Sequence, residues 1–383
     1  MNVLIAPDKF KDALDAHAVA EAIARGVRLA RSDTTIEICP LADGGEGTGR
    51  LLAAMMHAEE RTTDVLDPLS RPRTARWWRY SDRNRASDAA IIEMAEASGL
   101  WLLAPEQRRA LETTSFGTGQ LLAAVADAGC SKISLCVGGS ATVDGGAGCL
   151  QGLGWRLLDS RGSEISESLA GGSLTRVVRI APPRHGRPLD VEILCDVTNP
   201  LLGPDGAAAV FGPQKGATPA QVRALENALR HWAHVLSDFA GRDLHELPGA
   251  GAAGGLPFGL VAALEARLVP GFETVAECVR LREKIAAADL VLTGEGRLDA
   301  QTTGGKVAGG VARLCHTAGK SCVALVGAAE TGEEHDLRSI AESLHLHDIV
   351  VITPPATPLS RALSTTTENL EHSAADWLKN NAM

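Results

Sequence analysis

With 383 residues, the chain exceeds the ~250 to 300 at which a single hydrophobic core stops growing, so two domains are expected. Forty glycines against six Trp, one Tyr and six Phe, in a chain 45% apolar, point to an α/β enzyme whose loops approach ligands closely, and away from a disordered chain or a β-sandwich. A net charge of −10 argues against nucleic acid and anionic membrane as partners, and an anionic substrate would need a locally basic pocket.

The opening MNVLIAPDKF runs straight into a strand over Asn2 to Ala6, with no basic n-region, long apolar stretch or cleavage site. No stretch approaches the ~18 apolar residues of a membrane span, so a cytoplasmic location is expected. The strand ends in Pro7, Asp8, Lys9, Phe10 and Lys11. A carboxylate and two ammonium groups just past a strand's carboxyl end stand where open α/β sheets collect ligands. Asp15 caps the following helix, whose Val19, Ile23 and Val27 form one apolar face.

Thr35 to Pro40 reads as a second strand. It opens onto Leu41, Ala42, Asp43, Gly44, Gly45, Glu46, Gly47 and Thr48 before a helix through Leu51 and Leu52. Backbone donors at a helix start favour an anion, whereas Asp43 and Glu46 favour a cation, so phosphate bound through Mg²⁺ satisfies both. A plain N-cap turn accounts for the same residues.

A change of texture places a domain boundary near Arg61. Thr62 to Leu66 and Thr74 to Tyr80 read as strands, with Trp77 and Trp78 as core or interdomain packing. Ala89 to Gly99 and Gly119 to Ala128 read as helices. Thr113, Thr114, Ser115, Phe116, Gly117 and Thr118 lead into the second, either as a cap or as a substrate-hydroxyl contact.

The central feature is Lys132 to Gly154. Ile133 to Val137 forms a buried strand that discharges into Gly138, Gly139, Ser140, Ala141, Thr142, Val143, Asp144, Gly145 and Gly146. Such a loop can turn successive N–H groups inward as an anion nest, while Asp144 can hold a metal ion or take a proton.

Val191 to Cys195 is the next strand and delivers Asp196 and Asn199, which can share a metal ion or orient a substrate hydroxyl while one accepts its proton. In Phe211 to Gly216, Lys215 supplies a cation in a turn, suited to a phosphate or carboxylate, although solvent exposure is the ordinary fate of a single lysine. Pro219 to Phe239 is a long helix. Gly249 to Gly254 spells GxGxxG, but Leu244 to Pro248 is a poor strand and Glu273 begins a helix, which is the wrong setting for a dinucleotide fingerprint.

Glu273 to Ala287 reads as one helix and Leu290 to Thr293 as a strand, followed by Gly294, Glu295, Gly296, Arg297, Leu298, Asp299, Ala300, Gln301 and Thr302. Arg297 and Lys306, flanking Asp299, can bring positive charge to a transferring phosphoryl group. An internal pair of Arg297 with Asp299 or Glu295 is the simpler alternative. A helix from Gly305, strands Cys322 to Val326 and Ile349 to Ile352, and a helix Leu359 to Lys379 complete a β/α alternation like that of the first residues. The two ends of the chain are therefore expected to build one domain, 1–60 plus 288–383, with 61–287 inserted.

No Walker segment surrounds Gly305-Lys306, and His231/His234 and His345/His347 lack a matching ligand set for zinc. The eight cysteines, none in a CxxC pair, read as reduced, buried thiols.

IAPDKFKDAL, PLADGGEGT, ETTSFGTGQLL, GGSATVDGGAGCLQGLG, CDVTNPLLGPDGAAAVFGPQKGA, GAGAAGGL and LTGEGRLDAQT, in this order, resemble the glycerate kinase family of the bacterial glycerate 2-kinase type over nearly the whole chain. Lys9 stands where many relatives carry Ser, and TTGGKVAGGVA departs from the family around Lys306.

The resemblance implies ATP-dependent phosphorylation of D-glycerate to 2-phosphoglycerate. It also implies two α/β domains, one Rossmann- or flavodoxin-like and one restriction-endonuclease-like, with the active site in the cleft between them. Read together with the residues, it assigns Asp196 as first choice for accepting the hydroxyl proton, with Asp8 and Asp43 as rivals. Lys11, Lys215 and Arg297 clamp carboxylate and phosphates, and Asp43, Glu46 or Asp144 hold Mg²⁺. The loop with Ser140, Ala141, Thr142 and Gly145 wraps the triphosphate, joined by Gly44, Gly45, Asn199, Glu295, Asp299 and Lys306 as binding residues. Glycerate is the expected partner, in a monomer or homodimer. The competing readings are a nicotinamide-dependent hydroxy-acid dehydrogenase and a non-catalytic sugar-acid sensor.

Overall fold

The structure is a computed structural model and describes residues 1–82, 87–185, 188–298, 306–329 and 337–381. Thirteen strands occur among them. The first six are β1 (Asn2–Ile5), β2 (Thr35–Ile38), β3 (Glu59–Leu66), β4 (Pro72–Asp82), β5 (Ser87–Glu93) and β6 (Lys132–Cys136). The rest are β7 (Arg156–Leu158), β8 (Arg179–Ala181), β9 (Asp190–Leu194), β10 (Arg267–Val269), β11 (Leu290–Leu298), β12 (Ser321–Ala329) and β13 (Asp348–Val351). The chain is mixed α/β with largely parallel sheets, and its contacts divide it into two compact units.

Unit 1 comprises Met1–Asp43 and Gly271–Met383. Its sheet runs β13-β12-β11-β1-β2, all parallel, with Val3 opposite both Leu290 and Ile36. The central strands are continuous apolar runs because helices cover both faces of a parallel sheet. Val3, Ile5, Leu290, Leu292, Val323 and Leu325 are buried in one core. Asp15 accepts the Ala18 N–H (2.8 Å) and starts helix Ala16–Ala30. Its Val19, Ile23 and Val27 share that core with Leu370, Ala374 and Trp377 of helix Thr366–Asn380.

Unit 2 is the continuous segment Gly44–Pro270. Its six-stranded sheet runs β10-β9-β6-β5-β4-β3, parallel from β10 to β5 and antiparallel through β4 and β3, and β7 pairs with β8 apart from it. Trp77 and Trp78 are both buried on β4, and the Trp77 indole N–H donates to Thr63 Oγ1 (3.1 Å).

Several elements differ from the sequence reading. Ala89–Gly99 is not a helix. Its first half is β5, paired with both β4 and β6, and only Ala95–Ser98 is helical. Ala89, Ala90, Ile91 and Ile92 have no exposed surface, and a strand buried on both faces loses the alternation that marks it in sequence. Glu273–Ala287 divides into helices Gly271–Cys278 and Leu281–Ala287, with Arg280 left-handed (φ 55°) between them. Leu359–Lys379 likewise divides at Thr365. β11 continues to Leu298, paired through Arg297 and Ala328, so Gly294–Arg297 is strand, not loop. All eight cysteines are free.

Candidate active site

In unit 2 the parallel neighbours β5, β6 and β9 end side by side, which is where such a sheet presents its loops to ligands. The turn after β6 is stitched to the turn after β5. Leu100 N–H donates to the Gly139 carbonyl (2.7 Å), and Ala141 N–H donates to the Ser98 carbonyl (2.9 Å). Gly44 and Gly45 lie against the same strand ends. A Cβ on Gly44 would stand 2.9 Å from the Leu194 carbonyl oxygen, and one on Gly138 would run into the Gly45 backbone. Gly44, Gly45, Glu46, Ser140, Ala141 and the start of the Asp196 turn therefore occupy one end of the unit 2 sheet. Asp196 is half-buried. Asn199 is tied inside this unit, its Nδ2 donating to the Asp205 carbonyl (2.8 Å) and its own carbonyl accepting Gly251 N–H (2.9 Å).

Two carboxylates already occupy the helix starts that read as anion nests. Asp144 has no exposed surface. One of its oxygens accepts both the backbone N–H and the hydroxyl of Ser115 (2.7 Å each), and the other accepts Gly146 N–H (3.2 Å). Burial raises its pKa, opposed by these donors. Asp144 thus anchors its loop to the start of helix Phe116–Asp127 and is turned away from the surface a metal ion would reach, contrary to the sequence reading. Ser115 in turn accepts Cys149 N–H (2.9 Å), and Thr113 donates to the Ala141 carbonyl (2.9 Å), so the hydroxyl-rich stretch serves internal bonding.

Glu93, which the sequence reading passed over, fills the other helix start. Its two oxygens accept Gly47 N–H (3.2 Å) and Arg50 N–H (3.1 Å) at the head of helix Thr48–Met55, the place a negative charge is favoured. Burial pushes this carboxyl upward. The available signal was a single acid closing the apolar run AAIIE.

Lys215 is also placed differently from the expected substrate clamp. Its side chain is 2% exposed, and Nζ donates to Ser140 Oγ and to the Thr142 carbonyl, both at 2.7 Å. Burial lowers its pKa from 10.5 to about 7, while the charge of Asp144 works upward. The GxGxxG segment is structural. Gly254 has φ 71°, its carbonyl accepts Gly145 N–H (2.9 Å), and a Cβ there would collide with the Thr142 carbonyl.

In unit 1, Asp8 follows β1, its N–H donating to the Gly294 carbonyl (2.9 Å). Burial, reinforced by the negative charge of Asp43, raises it from 3.8 to about 8. Lys9 opposes the rise through its backbone N–H, which donates to Asp8 Oδ1 (2.7 Å), and through its charge, while Glu295 adds to it. Glu295 is buried on β11, whereas Lys11 and Arg297 are exposed. Gly296 brings β11 beside the Lys11 backbone, 3.3 Å from where its Cβ would be. Lys306, half-buried, immediately precedes helix Val307–Thr317. Asp299 lies outside the described residues. Among those described, no group of three or more His, Cys, Asp or Glu side chains is arranged to hold a metal ion.

The profile of the Glycerate kinase family matches residues 3–380. The chain belongs to the glycerate kinase family. A glycerate kinase of Halalkalibacterium halodurans is 42% identical over 337 residues, covering 87% of each chain. The glycerate 2-kinase of Escherichia coli is 42% identical over 331 residues, covering 85% of each. A crystal structure assigned as glycerate kinase 2 of Salmonella typhimurium LT2 superposes with a TM-score of 0.78 at 38% identity, over 99% of this chain and 98% of that one.

In this member of the glycerate kinase family the expected site residues fall into two groups. Asp8, Lys11, Asp43, Glu295, Arg297 and Lys306 belong to unit 1, while Gly44, Gly45, Glu46, Ser140, Ala141, Thr142, Asp144, Gly145, Asp196, Asn199 and Lys215 belong to unit 2. Within the second group, Thr142, Asp144 and Lys215 are interior, and the Ser140 hydroxyl, in the turn after β6, is bonded to Lys215.

Proposed function

We propose that the protein phosphorylates D-glycerate at the expense of ATP, giving 2-phosphoglycerate by in-line transfer. The observation that carries this reading is the gathering of Gly44–Glu46, Gly138–Ala141 and Asp196 at the ends of adjacent parallel strands, in a chain of this family. Backbone N–H groups of the two glycine turns suit phosphate oxygens, and the exposed cations Lys11 and Arg297, with Lys306, suit carboxylate and phosphate charge. The substrate hydroxyl oxygen bonds to the γ-phosphorus as the bond to the ADP oxygen breaks. Asp196 takes the hydroxyl proton, with Asp8 as its rival because a carboxyl near 8 matches proton acceptance close to neutral pH. Glu295, Asn199 and Asp299 complete the binding set.

Mg²⁺ fits Asp43 with Glu46. The charge of Asp43 is felt at Asp8 as repulsion, a local excess of negative charge that a divalent cation balances, and Mg²⁺ commonly takes only one or two protein carboxylates beside phosphate and water. When bound, it supplies neutralisation of phosphate charge. A Rossmann- or flavodoxin-like unit 1, a restriction-endonuclease-like unit 2 and a cytoplasmic setting belong to the same proposal. No helix among the described residues is long and apolar enough to cross a membrane.

Release of ADP from D-glycerate and MgATP, with the product identified by phosphorus NMR, tests this directly. Thermal stabilisation by NADH without ADP release would overturn it in favour of the dehydrogenase. Glycerate binding without turnover would favour the sensor.

A further inference from the structure

Lys215 Nζ, the Ser140 hydroxyl and the Thr142 backbone carbonyl make a small interior cluster whose hydrogen bonds do not close. An ammonium group carries donors only. Because Lys215 Nζ lies 2.7 Å from Ser140 Oγ, the serine oxygen is the acceptor and the serine proton must go elsewhere. Among the described residues it finds no acceptor, and Thr142 Oγ1 is buried without a hydrogen-bond partner. Lys215 is itself held apart from Asp144, whose oxygens are taken by Ser115 and Gly146. Among the described residues the buried cation therefore has no direct counter-ion, a costly arrangement unless an anion completes it. Ser140 is 7% exposed and belongs to the turn after β6, which puts its hydroxyl at the outlet of the cluster.

We propose that Lys215 is a positioning residue: by donating to the Ser140 oxygen it commits the Ser140 hydroxyl to donate outward, to an anionic oxygen of a reactant. This rests on the kinase reading above. The chemistry fits either a phosphate oxygen of the nucleotide or the glycerate carboxylate, and the two are separable by which substrate's KM responds. The role belongs to the ammonium form: burial works against that form, the charge of Asp144 works for it, and an anion accepting from Ser140 would add to the support.

The test compares Ser140→Ala, Ser140→Thr, Lys215→Met and the Ala/Met double variant in the full-length protein, with KM for ATP and for glycerate, kcat and Tm measured for each. A hydrogen bond to a charged group contributes about 1.5–3 kcal/mol, so Ser140→Ala should raise one KM about 10- to 100-fold. Lys215→Met should raise the same KM to a similar extent, Ser140→Thr should restore it, and the double variant should be no worse than the worse single. A rise in the ATP constant assigns the acceptor to phosphate, and a rise in the glycerate constant assigns it to carboxylate. Wild-type constants in a folded Lys215→Met, or effects that multiply in the double variant, would overturn the proposal. Should Lys215→Met fail to fold, wild-type constants in Ser140→Ala would do the same. An inactive wild type overturns the kinase reading along with it, whereas an active wild type with an indifferent Ser140→Ala overturns only this inference.

Discussion

Glu93 stands over Gly49 so closely that a Cβ on the glycine would lie 2.6 Å from Glu93 Cγ. The same carboxylate holds the Gly47 and Arg50 N–H groups, so Gly49 leaves room for an internal anion at the head of a helix. Gly49→Ala should cost about 1–3 kcal/mol through overpacking, read from urea unfolding. Glu93→Gln, which keeps the shape and loses the charge, should cost less than Glu93→Ala. If Gly49→Ala unfolds at the wild-type midpoint, the close approach is not a constraint.

Asp144 receives two bonds from Ser115 and one from Gly146. Asp144→Ala should therefore lower stability by about 3 kcal/mol by leaving buried donors unpaired. Its effect on the apparent affinity for Mg²⁺, measured by titrating activity with the metal in whatever folded fraction remains, should be small. A large metal effect at unchanged stability would return Asp144 to the role first read from the sequence.

Lys215 gives a pH signature. Its pKa is about 7 in the folded chain against 10.5 ordinarily, so between these values the unfolded chain binds more protons, and stability from this group rises with pH across that window. Asp144 is the charged group that opposes the shift. Chemical denaturation at pH 7 and pH 9 should show this rise in the wild type, and the slope should be smaller in Lys215→Met. Identical slopes would mean that Lys215 is not desolvated.

Asp196 and Asp8 are separable by kinetics. Loss of the proton acceptor lowers kcat far more than substrate affinity, typically by 10²- to 10⁴-fold. Asp196→Ala should show this pattern, whereas Asp8→Asn should show it only if the unit 1 carboxylate is the base. Near-normal turnover of Asp196→Ala removes its assignment.

Gly254→Ala should destabilise strongly, since its left-handed backbone faces the Thr142 carbonyl. Added NADH should leave the melting temperature of the wild type unchanged. Stabilisation by NADH would mean that the GxGxxG segment recognises a dinucleotide after all.

The strand exits were legible in the sequence because apolar runs such as NVLI and KISLC stop abruptly at Gly, Asp and Pro, and the spacing of such runs announces a parallel α/β chain. β5 was not legible, since Ala89–Ile92 is buried on both faces and carries no period of two. Nor were Lys215 and Glu93. A lone lysine in a turn looks solvated until Ser140, 75 residues earlier, is found beside it. An acid inside a stretch that reads as helix draws no notice until the helix it caps, some 46 residues away, is known. What a short window of sequence lacks in each case is the partner that decides whether a charge faces water, substrate or the protein's own backbone.

The register of β1 sets a timetable for synthesis. Val3 needs Leu290 on one side and Ile36 on the other, so the first strand to leave the ribosome waits for about three quarters of the polypeptide before its inner neighbour exists. Gly44–Pro270 has its sheet partners within itself and can condense meanwhile. Premature termination near residue 280 would then release a finished middle with the apolar β1 paired on one side only, a species prone to clump and to be degraded.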